Sequence, residues 1–175
     1  MATTDSTDSK VPAGSQSKFP RIVLWFFAAA LVFRVLTVVM GHEKKEEGAA
    51  GLVSWRPQGT AAAAARSEGK PILYDFTAAW CQPCHRLDTE GWGDASVASL
   101  VNGSYLPARI VDREREDGKN VEAIAELQRH YSVRAFPTLV VADADGREIA
   151  RFEGYGGKEK LVRFLEGSLG KARAR

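Results

Sequence analysis

The only two cysteines of this chain sit inside one short stretch, "WCQPCH", residues 80–85. Cys-X-X-Cys followed by His is the spacing that attaches a c-type haem covalently. The same Cys-X-X-Cys at a strand-to-helix turn is the spacing of a thiol–disulfide redox centre. A haem asks for His85 as one axial ligand, a Met or His as the other, and a mostly helical pocket around the ring. The methionines are Met1 and Met40, away from the segment that carries the cysteines, and His130 is the one histidine candidate. The redox reading needs only what the local pattern supplies.

That pattern is a strand handing over to a helix. "KPILYDFTAAW" is an apolar, β-branched and aromatic run of strand length, and the cysteines open the helical pattern after it. Free N–H groups and the positive end of the helix dipole stabilise a thiolate at Cys81 and lower its pKa from about 8.5. Cys81 is therefore the expected attacking sulfur, exposed to solvent. Cys84, one turn deeper, is placed to resolve a mixed disulfide. His85 reads as a solvent-facing helix residue or, when protonated, a weak electrostatic aid to the thiolates.

Two distant residues belong to the same reading. Asp75 lies in the apolar strand six residues before Cys81, where desolvation raises a carboxyl pKa. It either points to the open face or exchanges a proton with Cys84 as the disulfide opens. In "RAFPTLVV", Pro137 opens a later strand. A cis Phe136-Pro137 bond would bring Phe136 and Pro137 beside the cysteines, their backbone free to hydrogen-bond an extended partner.

The composition excludes other chemistries. Lys plus Arg number 24 against 22 Asp plus Glu, a formal charge of +2, too near balance for a nucleic-acid partner. Two cysteines and the scattered His42, His85 and His130 make no cluster at metal-ligand spacing, so neither a metal nor any cofactor beyond the cysteine pair is expected. "DREREDGK", residues 112–119, interleaves both signs of charge and reads as a solvated loop. Trp55 and Trp92 either flank the cysteine surface or pack in the core.

The elements that position these residues follow along the chain. "GLVSW" is a possible short strand, and residues 60–69 a helix with Thr60 as cap and Gly69 as stop. "DASVASLVN" is a helix with Asp94 as N-cap. "YLPARIVD" is a strand with Pro107 near its start or at an edge. Residues 118–131 form a helix with Val121, Ile124, Ala125, Leu127 and Tyr131 near one face. "TLVVADADGREIARFEG" is a hairpin turning at residues 143–146, and "GKEKLVRFLEGSL" is a closing amphipathic helix. The order β-α-β-α-β-α-β-β-α implies a layered α/β sandwich around a central mixed sheet.

Ahead of this domain, residues 22–40 are apolar except Arg34 and Thr37, about the length that crosses a ~30 Å hydrocarbon layer. An uncleaved signal anchor fits better than a cleaved leader, because no small-X-small site follows. The slight excess of Lys and Arg before the span places the domain on the extracytoplasmic side. The organisation expected is a disordered tail at 1–19, a transmembrane anchor at 20–41, a flexible tether at 42–51, the α/β domain at 52–170 and a basic tail at 171–175.

"ILYDFTAAWCQPC" and "VRAFPTLVVADADGREIARFEGY" together resemble the thioredoxin superfamily over about residues 52–169. "GKPILYDFTAAWCQPCHRLDTEGWGDASV" looks most like the C-terminal periplasmic domains of the DsbD membrane reductases. The resemblance implies Cys81 as nucleophile, Cys84 as resolving thiol, Asp75 as proton-transfer group, Trp80 and Pro83 as tuners of the site, and Pro137 as a cis-proline. Gln82-Pro83 stands where Gly-Pro is usual, a change that shifts reduction potential. The eight-helix electron conduit of DsbD is not in this sequence, so the resemblance implies a separate membrane electron donor or acceptor, protein disulfides as substrates, and a monomer. Two other readings stand beside it: a binding or chaperone-like module with a fixed disulfide, and a reductant dedicated to cytochrome c maturation. The mid-domain insert associated with the latter is not evident.

Overall fold

The computed structural model describes residues 51–174. The tail, the anchor over 22–40 and nearly all of the tether lie outside the described residues. Four strands, β1 (Ile72–Ala78), β2 (Leu106–Asp112), β3 (Thr138–Ala142) and β4 (Glu148–Glu153), form one sheet in the order β2-β1-β3-β4. β1 runs parallel to β2, and β3 runs antiparallel to both β1 and β4, so the sheet is mixed as expected. Pro107 is the second residue of β2, an edge strand, where its missing N–H removes little from the ladder.

Alternation along β1 sends its side chains to two cores. Ile72, Tyr74 and Phe76 pack with α1 (Ala61–Glu68) and with Ile124 and Leu127 of α5 (Glu122–His130). Leu73, on the opposite face, packs with residues of the segment after Cys84, with α3 (Ala95–Ser104) and with α6 (Lys158–Arg173). Each fully buried Leu or Phe here contributes about 1.5–3 kcal/mol. Helices on both faces complete the three layers.

Four local expectations are corrected. The segment "GLVSW" is not a strand; only Arg56 bridges to Ala108, because an isolated two-residue contact on an edge strand cannot extend a ladder. Thr60 does not cap α1: its hydroxyl donates to the Pro57 carbonyl at 2.8 Å instead. Val121 is 67% exposed, because α5 begins only at Glu122. Part of the charged 112–119 stretch is helical, as α4 (Glu114–Asp117), for buried Asp112 accepts the Glu114 N–H and holds that turn in place.

Asp94 caps α3 as its residue type predicts. Its carboxylate accepts the Ser96 and Val97 N–H groups and pairs with Lys158 at 2.9 Å, which ties α3 to the start of α6. These donors, the Ser96 hydroxyl foremost, hold its pKa far below the usual carboxylate range. The hairpin turn also lies where expected, with the Gly146 N–H donating to the Asp143 carbonyl and Gly146 at a positive φ of 80° that favours glycine.

Candidate active site at the end of the sheet

β1 and β2 are parallel and end level with one another, Ala78 beside Asp112. The antiparallel β3 starts at that same end, with Thr138 opposite Phe76. Topology therefore brings together the loop before Cys81, the turn of α4 and residues 135–137.

α2 (Gln82–Arg86) carries the cysteines and continues as a π-helical turn, Leu87–Trp92. Cys81 is its N-cap, and its Sγ accepts the Cys84 N–H at 3.2 Å. Pro83 lies in the first turn, where a missing N–H costs nothing because that group has no helical partner. Cys81 and Cys84 are joined as a disulfide, with Cα atoms 5.3 Å apart. Cys84 is 2% exposed, but Cys81 is only 3% exposed, against the expectation of an open sulfur. The cause is Phe136, which packs with Ala78 against both cysteines.

The Phe136-Pro137 bond is cis. The Pro137 carbonyl already accepts the Gly154 N–H at 2.8 Å, and proline has no N–H to donate. Among the described residues the N–H and carbonyl of Phe136 have no hydrogen-bond partner. Trp80 is 40% exposed and meets Phe136 edge-on, with ring centroids 5.8 Å apart. Gln82 and Pro83 are exposed beside them. His85 is exposed too, but its Nε2 lies 2.8 Å from the Ala79 carbonyl, so the ring braces the cysteine turn as well as facing solvent.

Asp75 is fully buried, on the same face of β1 as Leu73, which packs with Leu87 and Trp92 of the π-helical turn. Its Oδ2 accepts three bonds: from Trp92 Nε1 at 3.0 Å, and from Arg109 Nε at 3.1 Å and Nη2 at 3.0 Å. Its Oδ1 has no hydrogen-bond partner among the described residues. Arg109 stands level with Asp75 on β2 and also bonds Asp88, four residues past Cys84 and so on the same side of the helix. Burial, the largest influence, pushes the Asp75 pKa up; Arg109 opposes it, Asp88 adds to it, and the net shift is upward. Among the described residues no hydrogen bond joins Asp75 to either sulfur; Arg109 ties Asp75 to Asp88, on the π-helical turn that continues α2.

Arg109, Asp88 and Trp92 had no sequence signal for this role. Only the strand register, which sets residue 109 beside residue 75, could have suggested Arg109. Trp92 proves to be a core residue, 1% exposed, with Trp55 edge-on at 5.4 Å. Among the described residues no group of three or more His, Cys, Asp or Glu could hold a metal ion.

A family profile described as a thioredoxin-like domain matches residues 58–168. The chain belongs to the thioredoxin-like domain family. It is 31% identical over 106 residues to a Mycobacterium bovis protein named thioredoxin, an alignment covering 57% of this chain and 74% of that one. It is also 30% identical over 86 residues to the thiol:disulfide interchange protein DsbD of Salmonella typhi, covering 49% of this chain and 14% of that protein. The chain therefore spans only a small part of the length of that relative. Among solved structures, the DsbH oxidoreductase superimposes with a TM-score of 0.60 at 22% identity, over 74% of this chain and 92% of that one, a likeness of fold. These comparisons and the close cysteine pair make this a thioredoxin-like member of the thiol–disulfide oxidoreductases.

Proposed function

We propose that this protein is a membrane-anchored reductase of extracytoplasmic protein disulfides, working through the Cys81/Cys84 pair. The observation that carries the reading is the cysteine pair at the N-terminus of α2, with the Cys81 sulfur accepting a backbone N–H and Phe136 closing over both residues. Support for the anchor is the apolar run 22–40, and support for the direction of electron flow is buried Asp75, bonded to Trp92 of the turn that continues α2, together with the likeness to DsbD.

In the dithiol form, a Cys81 thiolate attacks one sulfur of a partner disulfide. The partner S–S bond breaks, its second sulfur leaves as a thiolate that takes a proton from solvent, and a mixed disulfide forms on Cys81. Cys84 then gives up its thiol proton and attacks Cys81 Sγ, which expels the partner's remaining thiolate. Two electrons have passed to the partner and the Cys81–Cys84 disulfide is back. Asp75, whose Oδ1 is uncommitted and whose pKa is raised, is the group we assign to receive the Cys84 proton. A membrane dithiol donor restores the reduced pair, and no cofactor is required.

The test is the Cys84→Ser variant of the full-length protein, which should accumulate disulfide-linked partners on Cys81. Capture of none, with a wild-type Cys81 that resists alkylation after mild reduction, would sink the reading. The near-complete burial of both cysteines favours what would then remain, a binding module with a fixed disulfide.

A further inference from the structure

Above the cysteine pair, the indole of Trp80 carries a cation. The guanidinium carbon of Arg115 lies 3.6 Å from the ring centroid, nearer than in the other two arginine–aromatic contacts of the described residues, at 4.6 and 5.7 Å. Arg115 is exposed, and among the described residues it forms no ion pair. Its position is built rather than incidental. Buried Asp112 fixes the start of α4 through the Glu114 N–H, and takes Asn120 Nδ2 at 2.6 Å and Gln128 Nε2 at 2.8 Å on its other oxygen. Arg113 is bound to Asp117 within the same turn, which leaves Arg115 as the arginine of α4 that faces the indole.

We propose that Arg115 is a partner-specificity residue that selects extended protein segments carrying an acidic residue close to their reactive cysteine. The inference rests on the oxidoreductase reading and deepens it. A segment paired with the free backbone of Phe136 and bonded to Cys81 advances about 3.3 Å per residue. It therefore reaches the edge of Trp80 within one or two residues of its own cysteine. A guanidinium laid flat on an indole keeps its N–H edge outward, where it accepts a carboxylate in two-point contact. A lysine at that place on the partner meets like charge instead. Two acidic neighbours compete for the same cation. These are Glu114 and Glu116, both exposed and neither ion-paired to Arg115 among the described residues.

The experiment uses the reduced full-length protein in detergent. It reacts with two homodimeric peptide disulfides that differ only in Asp or Lys residues flanking the cysteine. Single-turnover rates are read by counting alkylated protein thiols, and each variant is normalised to its own rate with hydroxyethyl disulfide, which is small and neutral. Wild type should prefer the Asp peptide by about fivefold, the upper range for an exposed pair. The preference should shrink with salt, persist in part in Arg115→Lys, fall to near unity in Arg115→Ala and reverse in Arg115→Glu. Equal rates for the two peptides in wild type, or a ratio unmoved by Arg115→Glu, would overturn the proposal. Failure to react with hydroxyethyl disulfide as well would overturn the oxidoreductase reading itself.

Discussion

Two arginines lie on two tryptophans, and they are opposites. Arg109, over Trp55, is largely buried and held by Asp75 and Asp88. Arg115, over Trp80, is exposed and holds no carboxylate among the described residues. The contrast shows how one side-chain chemistry serves two ends. In the core, the low dielectric makes Arg109 a structural necessity, because the buried carboxylate of Asp75 would otherwise have no counter-charge. At the surface, water screens Arg115, so that its charge does little for the fold and is left for whatever docks.

Substitutions should separate the two regions sharply. The largest effect is expected from Arg109→Leu, which strands Asp75 in the core and should cost about 3–5 kcal/mol by denaturant titration. A loss below about 1 kcal/mol would mean that the buried network is not what it looks like. Next comes Trp92→Phe. It removes the donor to Asp75 Oδ2 while keeping most of the ring volume, and it should cost about 1–3 kcal/mol.

The third break is in pH. The folded pKa of Asp75 is raised above 3.8, chiefly by burial. The unfolded carboxyl therefore loses its proton first as pH rises. Stability contributed by neutral Asp75 is complete below that value and declines as pH climbs toward the folded pKa, by up to about 1.4 kcal/mol per unit. Asp75→Asn lacks this slope, so the stability of wild type relative to the variant should fall between about pH 4 and the folded pKa. Parallel curves would contradict the upward shift. The smallest effect belongs to Arg115→Ala, expected to change unfolding stability by less than about 1 kcal/mol.

What could be read from the residues follows the same division. The strand before the cysteines, the Asp94 cap and the turn at residues 143–146 were legible because each depends on neighbours in the chain. Asp75 could be singled out because a carboxyl inside "ILYDFTA" is anomalous wherever the strand goes. Its partners could not, since Arg109 and Asp88 reach it only through a parallel register and a helix crossing. "GLVSW" misled because an apolar pentapeptide forms a strand only when an edge accepts it along its length. Val121 misled because a helical period continues past the residue at which the helix starts. The burial of Cys81 escaped for a further reason: Phe136, which covers it, is 55 residues away along the chain.

The reduction potential of the Cys81/Cys84 pair distinguishes a reductant from an oxidant. The full-length protein would be equilibrated in defined thiol buffers and its alkylated cysteines counted. A reductant should give a value near that of thioredoxin, about −270 mV. A value toward about −120 mV would make the protein an oxidant and contradict the direction assigned to it. A pair that never opens would contradict the chemistry altogether.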